Sequence, residues 1–273
     1  MLLSSRSRAY AHALKEAYSG RKTVAPQASA LGLTPETSVK TLNELHTMFI
    51  ADGINPVGRK LIADSAITDP DQACLGYLYE AQFADEEGEL AAIRTHGSTR
   101  LRLEPKLILR FADAPDMTAG FERFIETIDA IAMAAELQHL PYTDAGWKFE
   151  DKICANGFSK IILSTELKTL SLSTKKNFSC LLDHSSFSFS RTSASGSVLV
   201  DYMPGHKTTL SSIGELYQMM LQHSLSSPGA TVARGDLIAL NAVCPEQPVA
   251  AGEEWVCVST GLDLDTLRIR FIS

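Results

Sequence analysis

This chain has no cysteine framework. Its five cysteines, Cys74, Cys154, Cys180, Cys244 and Cys257, are scattered and odd in number, which argues against disulfide pairs and against zinc sites of the CxxC kind. Burial as small hydrophobes is expected for all of them except Cys74. The chain also lacks a basic excess: 25 Lys and Arg stand against 32 Asp and Glu, a net charge of -7. No face therefore supplies the cation density that nucleic acid or an anionic membrane requires. The opening "MLLSSRSRAYAHALKEAY" has no basic segment leading into a long apolar run, so neither secretory signal nor anchor is expected and a cytoplasmic location follows by default. No repeat of fixed period occurs. Compositional bias is confined to the Ser-rich stretch 171–197, which reads as an edge hairpin and loop without a catalytic role.

What remains is ordinary globular composition, 45% hydrophobic and 21% charged,. Helices are expected at 5–18 and 34–51, the second opening on "TPET" with a Thr N-cap and Pro at the first helical position,. The stretch "SGRKTVAPQASALG" between them reads as loop. Beyond "GINPVGRK" the chain turns to short apolar runs, among them "CLGYLY", "LRLEPKLILRF", "KIILS", "SVLVDYM", "GDLIALNAV", "EEWVCVST" and "LRIRFIS", which read as strands. In "AGFERFIETIDAIAMAAELQHL" helical spacing at Phe121, Phe124, Ile125 and Ile128 gives way to a continuous apolar run, so a helix-to-strand change near residue 129 is expected. Residues 209–223, with Leu210, Ile213, Leu216, Tyr217 and Met220, form an amphipathic helix,. The fold class is α+β, with a helical region over 1–55 and a β-rich region over 56–273.

Three features carry candidate chemistry. In "RLRLEPKLILRF" the alternation of a strand sets Glu104 and Lys106 on one face,, either as a surface ion pair of little energetic worth or as part of a site. Glu136 stands alone in the apolar "AIAMAAEL"; burying it unpaired is costly, so a cation or donor is expected beside it. Lys60 follows Gly58 in "VGRK", and a glycine there suits a backbone that must approach something closely. The histidines His96, His139 and His206 are isolated and read as structural or surface residues. His139, three residues after Glu136, is the one worth mutating.

Taken in order, "VGRK" after a helical region, a Glu in an "R-x-E" strand, a second Glu after a helix-strand run, "F-x-D-x-x-x-x-N" and a closing "GD-x-I … P-V-x-x-G" resemble the 2-oxo-4-pentenoate hydratase and 4-oxalocrotonate decarboxylase branch of the fumarylacetoacetate hydrolase superfamily. The similarity runs from about Leu42 onward. It implies a helical N-terminal region packed on a mixed β-roll and self-association. It also implies a reaction on an enolisable 2-oxo acid, in which a divalent cation grips the carboxylate and 2-oxo group while a lysine assists enol–keto proton transfer. Lys60 matches the family's catalytic lysine, Glu104 its first metal-binding glutamate and Glu136 its last. Asp151 and Asn156 fall on the "F-x-D" pattern, where they would orient substrate or brace loops; plain loop capping explains them equally well.

The departures concentrate at the site. The family writes E-x-E on the strand where this chain has Lys106. An ammonium ~4 Å from a dication opposes it by roughly 8 kcal/mol at an effective dielectric of ~20, unless the lysine is neutral or swung away. Cys74 in "CLG" stands where the branch has an Asp, "LIAD" replaces a glycine- and hydroxyl-bearing continuation, and "IALNAV", which contains Asn241, replaces a Thr/Ser-Gly turn. The expected catalytic set is Lys60, Lys106, Glu104 and Glu136, with Cys74, Asp151, Asn156 and Asn241 as substrate contacts and no metal ligand.

The function expected is that of a metal-independent lyase or isomerase of specialised metabolism. It would work without a cofactor, as a homo-oligomer, on a small enolisable oxo-acid or dicarbonyl. Two alternatives stand beside it: a Mg- or Mn-dependent 2-oxo-4-enoate hydratase or 4-oxalocrotonate-type decarboxylase, and a catalytically silent homologue that stabilises a partner.

Overall fold

The computed structural model describes residues 4–18, 23–63, 73–83, 91–94, 101–143, 146–193, 195–202, 209–226, 232–241 and 246–273. His96, His206 and Cys244 lie outside them, as do parts of the replaced "LIAD" and "IALNAV" segments. Three helices come first, α1 (Ser5–Tyr18), α2 (Ala28–Leu31) and α3 (Pro35–Ala51). The start of α3 is set by Thr34, whose side chain accepts from the Thr37 backbone N–H, with Pro35 at the first helical position, where its missing N–H costs nothing. The loop expected between the two long helices holds the single turn of α2, which ends on Gly32 in the left-handed region (φ 60), a conformation open to glycine at no steric cost.

The rest is a mixed β structure. One sheet runs β2 (Ala73–Tyr79), β1 (Pro56–Ala63), β10 (Leu237–Asn241), β4 (Leu101–Phe111), β5 (Ile128–His139), β6 (Ser159–Ser164), with the short β11 (Gln247–Pro248) on β4 and β7 (Lys168–Thr169) on β5. The second runs β3 (Ala91–Arg94), β13 (Leu267–Ile272), β12 (Glu254–Thr260), β8 (Ser186–Thr192), β9 (Val198–Tyr202). The pairs β1–β10 and β13–β3 are parallel and the others antiparallel. Gly58 sits on the first parallel pair, where a Cβ would lie 1.9 Å from the Leu237 carbonyl oxygen. The close approach expected of this glycine is therefore strand to strand.

The remaining helices are α4 (Phe121–Glu126), α5 (Phe149–Cys154), α6 (Leu172–Lys176), α7 (Phe178–His184) and α8 (Thr209–Ser226). The change from α4 to β5 falls at Thr127, close to the expected break. The Ser-rich stretch holds the expected hairpin in part, since β8 turns between Ser193 and Ser197 to pair antiparallel with β9, the edge strand, but two unexpected helices precede it. Ser171 caps α6 by accepting from the Thr174 N–H, α7 follows, and β8 lies inside its sheet between β12 and β9. Phe178, Leu182, Phe187 and Phe189 are buried there, so the apolar side chains decide the structure, while Ser171, Ser173 and Ser186 face solvent. Cys180 on α7 is exposed, a correction to the expected burial, whereas Cys154 and Cys257 are buried.

Alternation on β4 and β5 divides the first sheet into two faces. Leu103, Leu107, Leu109, Ile131, Met133 and Leu137 belong to the large core that also holds Phe189, Trp255 and Phe271 of the second sheet and Phe124, Ile213 and Leu216 of the helices. The opposite face carries Ile108, Ala132, Ala134 and Ala239. Beyond its β1–β2 end a second cluster joins Tyr10, Leu14, Leu42, Leu45 and Phe49 of the N-terminal helices to Ile62, Tyr77, Ile153 and Phe158. Glu104, Lys106, Glu136 and Gln138 share the parity of the alanine face, so four polar side chains are held between two apolar regions.

Candidate active site

β4 is a central strand, yet it contains Pro105. Its neighbour changes at that point: Lys106 to Arg110 pair with β10, while Leu103 and Arg102 pair with β11. A residue without an N–H falls where the ladder changes hands. On the other side Glu104 is the direct cross-strand partner of Glu136, and two carboxylates opposite each other repel unless cations intervene. The alanines at 132, 134 and 239 leave the room in which those cations sit.

The intervening group is Lys106. Its ammonium lies 2.9 Å from Glu104 Oε2 and 3.2 Å from Glu136 Oε2. Lys60, from β1, donates to the other Glu136 oxygen, Oε1. Gln138 Nε2 donates to Glu104 Oε2 at 2.7 Å and reaches Glu136 Oε2 at 3.4 Å. Lys60, Lys106 and Glu136 are each 1% exposed and Glu104 4%, so the three pairs are desolvated and breaking any one by removing a partner costs on the order of 3–5 kcal/mol.

The shared environment pulls the two lysines apart. Burial pushes Lys60 down to about 8, with Glu136 restraining the shift and Lys106 adding to it. Burial also works against the charge of Lys106, but Glu104 and Glu136 outweigh it and hold its pKa above the ordinary lysine value. At Glu136 burial again opposes the charge, and the ammonium groups of Lys60 and Lys106 nonetheless keep the carboxyl well below the usual range. One lysine is thus a fixed cation, and the other is poised to exchange a proton near neutral pH.

Lys60 sits opposite Gly76 on β2 and Ala239 on β10, and its ammonium rests against Gly157, where a Cβ would come within 3.1 Å of Nζ. Gly157 (φ 62) lies in a run of left-handed residues with Asn156 (φ 45) and Phe158 (φ 64), which in a bulky residue stores strain at a site the surroundings must enforce. Asn156 supplies that enforcement: its Oδ1 accepts from the Tyr77 N–H at 2.8 Å and its Nδ2 donates to the Tyr77 carbonyl at 2.9 Å.

Asp151 is fully engaged elsewhere. Its Oδ1 accepts from Tyr10 Oη at 2.6 Å and from the N–H groups of Gln27 and Ala28 at 3.0 and 2.9 Å, and its Oδ2 accepts from the Lys148 N–H at 3.0 Å. Asp151→Ala leaves four donors without an acceptor, and a loss of about 3–5 kcal/mol in urea unfolding is expected. An unchanged midpoint would refute the bracing role.

Cys74 is buried beside Ile62 and Tyr77. Burial pushes its thiol up to about 12, so it is held as a neutral SH. The backbone of Asn241 pairs with Lys106 across β10 and β4. His139 lines a small separate hollow with Tyr18, Phe158 and Lys160. The cleft over the ion cluster is narrow and is lined by Lys60, Glu104, Lys106, Glu136, Gln138 and Lys152. Gln138 and Lys152 escaped sequence reasoning. The parity of Gln138 with Glu136 was the available signal; for Lys152 none existed, because "FEDK" opening a helix reads as a solvated charged turn.

No family model matches the chain, and no curated protein matches it. Solved structures do. A 4-oxalocrotonate decarboxylase from Pseudomonas putida G7, complexed with magnesium and adipate, superposes over 100% of this chain and 99% of its own, with a TM-score of 0.78 at 14% identity. The same enzyme complexed with calcium and acetate gives 0.74 at 15% identity, with 100% and 99% covered. A 2-hydroxyhepta-2,4-diene-1,7-dioate isomerase from Mycobacterium marinum gives 0.50 at 12% identity, over 80% of this chain and 76% of that one. The chain therefore has the fumarylacetoacetate hydrolase type of fold, a helical N-terminal region followed by a mixed β-roll, as the sequence resemblance implied.

Those decarboxylase structures hold a divalent cation, and the residues here do not fit one. Three N–H donors, from Lys106, Lys60 and Gln138, already point at the Glu104 and Glu136 oxygens that face the cleft. A cation would meet two carboxylates across an ammonium and an amide NH₂ group. Among the described residues no group of three His, Cys, Asp or Glu side chains gathers at one point.

Proposed function

We propose that this chain is a metal-independent lyase or isomerase acting on an enolisable oxo-acid or dicarbonyl, with the Lys106 ammonium doing the electrostatic work of a cation. The observation that carries the reading is the position of Lys106 Nζ, within hydrogen-bond distance of carboxylates from two adjacent strands. Its charge is held by Glu104 and Glu136, so it is preorganised to stabilise negative charge developing on a substrate oxygen. Lys60, poised lower, acts as the proton carrier: its neutral amine takes a proton from the carbon beside the carbonyl, the electron pair moves onto the oxygen facing Lys106, and the enolate forms. Returning the proton at another carbon gives isomerisation. Loss of hydroxide from the β carbon of that enolate, protonated to water by the Lys60 ammonium, gives a dehydratase. In a decarboxylase the bond to the carboxylate breaks in place of the C–H bond, its electron pair moves onto the oxygen facing Lys106, and the Lys60 ammonium then protonates the carbon that lost carbon dioxide. In this reading residues 1–55 form a helical cap on a catalytic β-roll of residues 56–273, and the protein works as a homo-oligomer on a small molecule.

The test is proton exchange. Chelator-treated protein is incubated with 2-oxohexanoate in D₂O, and loss of the C3 proton signals is followed by NMR. Exchange at least about 100-fold above buffer, unchanged by EDTA and lost in Lys106→Ala, is expected. Exchange only after magnesium or manganese is added would overturn the metal-independent reading in favour of a conventional hydratase or decarboxylase. No exchange under either condition would favour a silent homologue.

A further inference from the structure

Lys152 is 5% exposed and lines the same cleft as Lys60, Lys106, Glu104 and Glu136. Its ammonium donates to the Ala63 carbonyl oxygen at 3.0 Å, and among the described residues no carboxylate pairs with it. A buried ammonium has three N–H donors and is costly to hold without an anion. The other four charges cancel, two lysines against two glutamates, so among the described residues Lys152 gives the cleft a net positive charge. A second orphan points the same way. Gln138 Oε1 is buried without a hydrogen-bond donor, and the amide cannot be turned over, because Nε2 is held against two carboxylate oxygens. Among the described residues the narrow cleft thus presents a cation without an anion and an acceptor without a donor, so a ligand would enter it against these two groups as the side chains part.

We propose that Lys152 and Gln138 form an anion subsite, in which Lys152 takes a ligand carboxylate and Gln138 Oε1 accepts from a hydroxyl on the same small molecule. The inference rests on reading the cleft as the reaction site, and it adds which end of the substrate is bound and by which residues. Lys152 sits on α5, away from the strands that carry the ion cluster, so the carboxylate is gripped from one wall while the carbonyl faces Lys106 on the other. A monocarboxylate that carries a hydroxyl is preferred over both its neutral ester and its deoxy analogue.

Calorimetric titration of the full-length protein with 2-hydroxyhexanoate, its methyl ester and hexanoate tests this. Wild type is expected to bind the hydroxy acid at least about tenfold more tightly than either comparator. Lys152→Met should lose the preference over the ester, and Lys152→Arg should retain it. Equal affinities for acid and ester in wild type, or an undiminished preference in a folded Lys152→Met, would overturn the subsite. Equal affinities for the hydroxy acid and hexanoate would overturn the role of Gln138. Because these are binding measurements, they stand apart from proton exchange: a protein that binds as expected but exchanges no protons refutes the reaction proposed above and leaves the subsite intact.

Discussion

Replacing Lys106 by glutamate is expected to give the cleft an affinity for divalent cations that the native ammonium opposes. In the native protein Lys60, Lys106, Glu104 and Glu136 sum to no net charge; with glutamate at 106 the four carry two negative charges. The substitution removes an ammonium 2.9 and 3.2 Å from the two carboxylates, a repulsion worth roughly 8 kcal/mol against a dication ~4 Å away at an effective dielectric of ~20. It also supplies a third oxygen ligand on the same strand face, the arrangement divalent cations favour. Calorimetry with manganese is expected to show one site in Lys106→Glu, at least about 100-fold tighter than any uptake by wild type. The variant should melt lower than wild type in metal-free buffer and recover as manganese is added, by about 2.7 kcal/mol at 100 times the dissociation constant. Lys106→Ala, which removes the cation without adding a ligand, should gain far less. A folded Lys106→Glu that takes up no manganese would show that the Gln138 amide or the narrow cleft excludes metal, and the role given to Lys106 would fall.

The parts of this site that could be read from sequence are those governed by local rules. Strand alternation alone put Glu104 and Lys106 together, and they meet at 2.9 Å. The cost of burying a lone Glu136 predicted a cation beside it, and two ammonium groups are there. The Thr34 cap and the break at Thr127 were legible for the same reason. What was hidden depends on the meeting of distant segments. That Lys60 reaches Glu136 follows from β10 being inserted between β1 and β4, and no spacing in the chain encodes that order. Lys152 becomes part of the cleft only because α5 is docked on the β1 side by Tyr10, Tyr142 and the fully used Asp151. In the Ser-rich stretch composition misled, because burial of four phenylalanine and leucine side chains outweighed the polar majority around them.

Activity should rise with pH through about 8 and vanish without Lys60. Burial pushes the Lys60 ammonium down to about 8, so the neutral amine that acts as base is a minority form at pH 7 and the major form at pH 9. Proton exchange in wild type is therefore expected to climb with one apparent pKa near 8. Lys60→Met should lose about 10²–10⁴-fold of the rate, and Lys60→Arg, which cannot deprotonate in this range, should be equally inactive. Stability follows with a definite sign. An unfolded lysine titrates near 10.4, so between about 8 and 10.4 this side chain holds more protons in the unfolded chain and by itself adds stability as pH rises, roughly 3 kcal/mol across the window. Below pH 8 both states are protonated and the cost of the buried charge is fully present. Glu136 acts at the other end: its carboxyl is held low by Lys60 and Lys106, so its contribution is complete above the ordinary glutamate range and is lost as pH falls below it. Cys74 and Cys154, whose thiols burial pushes up to about 12, cost stability over the same range, so urea unfolding at pH 7, 8.5 and 10 is read as a difference: between pH 8.5 and 10 stability should fall more steeply in Lys60→Met than in wild type. Borohydride trapping with 2-oxohexanoate then separates a proton carrier, which leaves no adduct, from an amine that attacks the carbonyl, which leaves a reduced imine on Lys60. A rate flat from pH 7 to 10, unaltered in Lys60→Met, would remove Lys60 from the chemistry and leave it as a partner to the Glu136 charge.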